Sequence, residues 1–149
     1  MNEAKGLSPE LVSSDSSSQS WRTPRGAMSL TWTEQGAIYV SVDVHGDRSL
    51  SPLMVRRADT LIARTRMKFF FDFWQMPTYD SEMRTEWTGF LVTHRARVDE
   101  IHVVARSKLV AMGVAVANLA LGGIIKSYPA PTGPFERALN RAGLKLPVR

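Results

Sequence analysis

A chain of 149 residues that is 44% hydrophobic and 22% charged has the composition of one globular domain, not of a collagenous or disulfide-stapled protein. The absence of cysteine excludes thiol nucleophiles, zinc ribbons, iron–sulfur clusters and disulfides. A formal charge of +5 admits an anionic partner without specifying one.

Residues 1–26 are expected to form a disordered, Ser-rich tail. The run Ser13-Ser14-Asp15-Ser16-Ser17-Ser18-Gln19-Ser20 has almost nothing to bury against its chain entropy, and Pro24-Arg25-Gly26 closes it. Its bases (Lys5, Arg22, Arg25) and acids (Glu3, Glu10, Asp15) cancel, leaving 16 bases and 11 acids in residues 27–149, read as a single domain. The first residues lack a basic stretch followed by an apolar one, so a secretory signal is not expected and a cytoplasmic location is.

Met28, Leu30 and Trp32 alternate with Ser29, Thr31 and Thr33, the pattern of a half-buried strand. Glu34-Gln35-Gly36 forms a turn. Ile38, Val40, Val42 and Val44 then alternate with Tyr39, Ser41, Asp43 and His45, completing an antiparallel hairpin at a sheet edge. Ser51-Pro52 opens a helix, with Met54, Ala58, Leu61, Ile62 and Thr65 at helical spacing. The densest basic group, Arg56, Arg57, Arg64, Arg66 and Lys68, belongs to this helix and its exit. It reads as a solvated face, and nucleic acid is not an expected partner, because no RNP-type aromatic motif, metal finger or heptad basic region accompanies it.

Three consecutive phenylalanines within Met67 to Trp74 need cover on both faces, which marks a central strand. Asp80-Ser81 opens a second helix with Met83, Trp87, Phe90, Leu91, His94 and Val98 as its apolar stripe. Ile101 to Ala105 reads as a strand, and Ser107 caps a third helix reaching about Leu121. Gly122-Gly123 stops that helix and Ile124 to Tyr128 forms a fifth strand. Pro134 starts a last helix with Phe135, Ala138, Leu139 and Ala142 inward and Gly143 as its stop. The nearly uncharged stretch between Lys108 and Lys126 falls short of the roughly 20 apolar residues of a spanning helix, and its glycines break it. The resulting order, β-β-α-β-α-β-α-β-α, predicts an α/β fold: a mostly parallel five-stranded sheet with an N-terminal antiparallel hairpin and right-handed crossovers.

Phe69-Phe70-Phe71-Asp72, then Tyr79-Asp80-Ser81 entering a helix, resembles the STAS domain, the sulfate-transporter and anti-sigma-factor-antagonist fold. The likeness runs from about Met28 to Gly143. Trp87 and Thr93-His94-Arg95 look more like the SpoIIAA-like branch. The resemblance implies a non-enzymatic regulatory module that docks a protein, of the kinase or anti-sigma-factor type, through the corner Thr78, Tyr79, Asp80, Ser81 and Glu82 and the adjacent Arg84, Thr85 and Thr88. Regulatory members phosphorylate the hydroxyl that follows the Asp-Ser pair. Here Glu82 stands there, and Met83 replaces the expected glycine, so the usual phosphoswitch is not expected and Ser81 is the remaining hydroxyl.

Asp80 and Ser81 are also residues that cap helices, and capping alone is the competing reading. The third helix is apolar all round (Leu109, Val110, Met112, Val114, Val116, Leu119, Leu121), whereas a sheet covers one side. Leu109, Met112, Val114, Val116 and Leu121 are therefore expected to meet neighbouring helices, a partner subunit in a homo-oligomer, a small apolar ligand or a membrane surface. A SpoIIAA-like binder of an apolar ligand or membrane surface is thus the alternative function.

No catalytic, metal or cofactor site is expected. His45, His94 and His102 lack ligand spacing. Gly-x-Ser-x-Gly, Gly-x-x-x-x-Gly-Lys and Gly-x-Gly-x-x-Gly are all missing. Asp72 and Asp80 form a conceivable carboxylate pair without a substrate-binding companion. His102 reads as a satisfied sheet residue and His94 as half-buried.

Overall fold

The computed structural model describes residues 8–148. Four strands come first, β1 (Glu10–Ser14), β2 (Ser18–Arg22), β3 (Ala27–Thr33) and β4 (Ala37–Asp43). After the short β5 (His45–Gly46) the chain alternates: α1 (Ser51–Ile62), β6 (Met67–Phe73), a short β7 (Thr78–Tyr79), α2 (Ser81–Thr93), β8 (Val98–Ala105), α3 (Lys108–Ala120), β9 (Ile125–Tyr128) and α4 (Pro134–Arg141). The main sheet runs β1-β2-β3-β4-β6-β8-β9, and β5 pairs with β7 in a separate two-stranded ribbon.

The α/β class holds, but the sheet, the tail and the hairpin are corrected. The hairpin expected at a sheet edge is interior: β3 and β4 lie between β2 and β6, and Val44, expected on its apolar face, is exposed. The sheet has seven strands rather than five, and it is not mostly parallel: its first three pairings are antiparallel and its last three parallel. Residues 10–22, expected to be disordered, form β1 and β2; residues 1–7 of that tail lie outside the described residues. The reason lies in Trp21 and Asp15. Trp21, 9% exposed, pairs opposite Met28 and enters the core. Asp15 Oδ1 accepts the N–H groups of Ser17 and Ser18, both at 2.9 Å, an Asx turn that reverses the chain between the two strands. The hydroxyls of Ser20 and Ser29 then meet across strands at 3.0 Å.

The strand order 4-6-8-9 climbs without reversal, so right-handed crossovers place α1, α2 and α3 on one face. Phe69, Phe71 and Phe73 point to that face, while Phe70 points to the other, where α4 supplies Phe135, Ala138 and Leu139. Three phenylalanines in a row thus serve two cores. The apolar stripe of α2 ends at Leu91; Val98, expected to extend it, opens β8 after a 3-10 turn at Arg95–Arg97. His94 is half-buried with its ring 4.6 Å from that of Phe90. Gly122 and Gly123 stop α3 with φ of +73° and +81°, a backbone that favours glycine.

Four of the five bases around α1 are engaged locally. Arg57 lies over the Trp32 ring at 4.3 Å, Arg64 meets Glu34 at 3.4 Å, Arg66 meets Asp99 at 2.6 Å and Lys68 meets Glu100 at 3.9 Å. Among the described residues no helix is long and apolar enough to cross a membrane.

The α4 side of the sheet carries a polar network. Tyr39 Oη donates to Asp72 Oδ2 at 2.6 Å. His102 is buried and stacked on Phe70, with Nε2 2.7 Å from Glu100 Oε1 and Nδ1 2.7 Å from Tyr128 Oη. The carboxylate only accepts, so Nε2 carries the proton and the Tyr128 hydroxyl donates to Nδ1. Burial lowers the His102 pKa, against the pull of Glu100. Because the folded imidazole resists protonation, the unfolded chain takes up protons first as pH falls below about 6.5, and stability falls with it. Urea melts of the wild type between pH 7.5 and 5 are expected to show that slope, and His102→Phe is expected to flatten it.

Candidate functional site

The corner singled out in the sequence lies where β4, β6 and β8 end, the rim at which open α/β sheets commonly place their sites. Three loops converge there. β5 and β7 pair His45 with Thr78 and Gly46 with Tyr79, and the Asp80 N–H donates to the Gly46 carbonyl at 2.8 Å. A Cβ on Gly46 would stand 2.7–2.8 Å from Met83 and Tyr79, so only glycine fits this crossing. Just before it, Val44 sits at φ +69°, an unfavourable region for a β-branched residue, tied down by its N–H to the Gln75 carbonyl at 2.8 Å.

The third loop is the β2–β3 turn. Thr23 Oγ1 accepts the N–H groups of Arg25 and Gly26 at 3.1 and 3.0 Å, and Gly26 abuts the backbone of Asp43 and His45 where a Cβ would collide. This turn projects Arg25 across the corner. Its Nε donates to Asp47 Oδ2 at 2.8 Å, and its terminal nitrogens donate to Asp80 Oδ2 at 2.7 Å and Oδ1 at 3.2 Å.

Asp80 is the hub. Besides Arg25 it accepts the Arg48 N–H at 2.8 Å, and its Oδ1 lies 3.0 Å from His45 Nε2. The carboxylate fixes the tautomer: Nε2–H of His45 donates to it, and Nδ1 accepts from Thr78 Oγ1 at 2.8 Å. Burial alone would raise the Asp80 carboxyl, but the Arg48 N–H, His45 and Arg25 outweigh it and hold the pKa at about 2. Asp47 is likewise lowered, where Ser49 and Arg25 overcome burial.

The capping reading of Asp80 is therefore corrected. It occupies the N-cap position of α2, yet its side chain makes no cap bond, because all its acceptor capacity turns to Arg25, His45 and Arg48. Ser81 is exposed, its Oγ 3.4 Å from Glu82 Oε1, and Glu82 pairs with Arg48 at 3.1 Å. Thr85 is exposed and donates to the Ser81 carbonyl at 3.1 Å; Arg84 and Thr88 are half-buried. Ser107 does cap α3, accepting the Val110 N–H at 3.4 Å while donating to the Pro77 carbonyl at 2.9 Å.

Chemically the corner suits recognition. A carboxylate held near 2 is a poor proton acceptor at neutral pH. Among the described residues the Ser81 hydroxyl meets one base, the solvated Glu82 carboxylate at 3.4 Å, which is a weak activator for a nucleophile. Asp72 accepts from Tyr39 Oη and the Trp74 N–H, whereas Asp80 accepts from Arg25, His45 and the Arg48 N–H.

Helix α3 divides the five residues expected to make apolar contacts. Leu121 is buried and Val114 half-buried against the core, whereas Leu109, Met112 and Val116 are 50%, 68% and 54% exposed, joined by Leu119 at 84%. The exposed four recur at spacings of three, four and three, one continuous stripe on the outer face. The opposite, inner side of α3 adjoins the corner, where Tyr79 Oη rests directly against the buried Gly113.

Sequence reasoning missed Arg25, His45, Asp47 and Arg48. The available signal was Thr23-Pro24-Arg25-Gly26 between Trp21 and Met28, a turn joining two apolar strand residues rather than the end of a tail. No family model matches the chain, and no curated protein matches it.

Proposed function

We propose that the protein is a non-enzymatic interaction module, similar in role to anti-sigma-factor antagonists and acting in the cytoplasm, that docks a protein partner over the first turn of α2 and the outer face of α3. The observation that carries this reading is the exposed apolar stripe Leu109, Met112, Val116 and Leu119 on α3, with Ser81, Glu82 and Thr85 also exposed at the start of the neighbouring α2. Monomeric surfaces rarely leave such aligned apolar groups in water without a use. The three-four-three spacing matches one apolar face of a partner helix, and Arg106 and Lys108 at its N-terminal end favour an acidic flank. The Arg25–Asp80–His45 network holds the corner rigid for docking. The phosphoswitch stays out of this reading, since Glu82 supplies a permanent carboxylate where family regulators carry a modifiable hydroxyl.

Photo-crosslinking amino acids at Met112, at Ser81 and, as a control, at Arg137 of α4 test this in cells. The same partner is expected from Met112 and Ser81 and not from Arg137, with recovery reduced at least tenfold by Leu119→Lys. Crosslinks no stronger than the control, unrelated partners at the two positions, or capture of a second copy alone would overturn it.

A further inference from the structure

Behind the exposed stripe, on the inner side of α3, a cavity of about 60 Å³ opens to solvent between α2 and α3, floored by Phe71 and Phe73 of β6 and Ile101 and Val103 of β8. Its wall is almost wholly hydrocarbon. Helix α3 turns small residues, Gly113 and Ala117, toward it, which leaves the space over the floor unfilled by side chains of that helix. At its mouth stands Arg84, half-buried, with a single long hydrogen bond to Tyr79 Oη at 3.5 Å. Among the described residues Arg84 makes no ion pair, unlike Arg25, Arg48, Arg64 and Arg66. The wall also holds a buried donor with no acceptor among the described residues, Nε1 of Trp87.

A half-buried guanidinium without a carboxylate favours an incoming anion, and an apolar groove behind it favours a hydrocarbon tail on that anion. We propose that the α2–α3 groove binds a single-chain fatty carboxylate, its head on Arg84 and Tyr79 Oη and its tail lying past Ala117 toward Leu121. The enclosed space is well below the roughly 150 Å³ that holds a benzene-sized ligand, so it takes part of a chain while the rest lies in the open groove. Gly113 to Leu121 spans about 12 Å of helix, which suits a medium chain of roughly ten carbons. The site is independent of the docking reading, because it uses the inner side of α3 and leaves the outer stripe free.

Titrating the full chain with decanoate, 1-decanol and butyrate, followed by tryptophan fluorescence and amide NMR shifts, tests the proposal. Decanoate is expected to bind saturably at one per chain, at least tenfold tighter than decanol, and butyrate not to bind over the same range. Arg84→Gln is expected to weaken decanoate at least tenfold and leave decanol unchanged. Ala117→Phe, which fills the groove, is expected to abolish both while the protein still melts cooperatively. No saturable decanoate binding, equal affinity for decanoate and decanol, or indifference to Arg84→Gln would overturn it. So would association with phosphatidylglycerol vesicles in the absence of decanoate binding, which would place the lipid contact on the outer stripe. Crosslinking from Met112 is unaffected by any of these outcomes, so the two readings fail separately.

Discussion

Removing residues 1–26 is expected to cost about 3–5 kcal/mol of stability, the loss typical of deleting a buried Trp or Phe side chain. A dispensable tail would cost nothing. The deletion takes away Trp21, which covers the core at Met28, and Arg25, which links Asp47 to Asp80. It also uncovers the outer edge of β3, whose backbone groups pair with β2. An uncovered edge strand is an invitation to pair with another chain, so the shortened protein is expected to self-associate as well as to melt roughly 10–15 °C lower. Trp21→Ala in the full chain separates the two effects: it should reproduce most of the thermal loss while leaving the β3 edge paired. A shortened protein that melts with the wild type would mean that β1 and β2 contribute nothing to the fold.

That expectation also marks what the sequence conceals. Between Ala27 and Arg141 the order of strands and helices follows the apolar pattern, because β3 and the helices bury one face against a large core while β4 and β6 are buried on both. The β1–β2 hairpin buries little: every residue of β1 is exposed, and only Trp21 in β2 is buried. Its order comes instead from a side chain bonding backbone in the Asp15 turn and from pairing along the β3 edge, neither of which leaves an apolar period. Serine composition then reads as disorder, although Ser13, Ser14, Ser18 and Ser20 sit in strands and Ser16 and Ser17 in the turn between them.

The corner was half legible for a related reason. Asp80-Ser81 before an apolar stripe announces a helix start, and that much is local. What Asp80 does there is decided by Arg25, 55 residues earlier, and by His45 and Arg48 from the loop beneath. A short-range motif carries no information about such long-range partners, so the expected cap bond was the default, and tertiary contacts replaced it. The outer stripe of α3 was legible as apolar surplus, since a helix uniform in hydrophobicity has more apolar surface than one sheet face covers. Which residues face out depended on the rotation of the helix, fixed by Gly113 seating against Tyr79.

Asp80→Ala is expected to cost about 2–3 kcal/mol at pH 7, and the cost is expected to shrink markedly at pH 2.5. The folded carboxyl titrates at about 2 against an ordinary value of 3.8, so ionised Asp80 stabilises the folded state fully above pH 3.8. That stabilisation declines as pH falls from there through 2 and is gone only below 2, where folded and unfolded chains both hold the proton. The shift corresponds to about 2 kcal/mol, and the remainder reflects Arg25 and the Arg48 N–H left without their acceptor. With 17% of the Asp80 side chain exposed, the loss falls between that of a solvated pair and that of a fully buried one. Arg25→Gln alone should cost less, because Asp80 keeps His45 and the Arg48 N–H, and the double variant should cost less than the two singles together, by about 1 kcal/mol or more. Urea melts of the four proteins at pH 7, 4 and 2.5 measure both quantities. A deficit in Asp80→Ala that is the same at pH 2.5 as at pH 7 would show that the side chain acts by filling space, and that its charge does not hold the corner together.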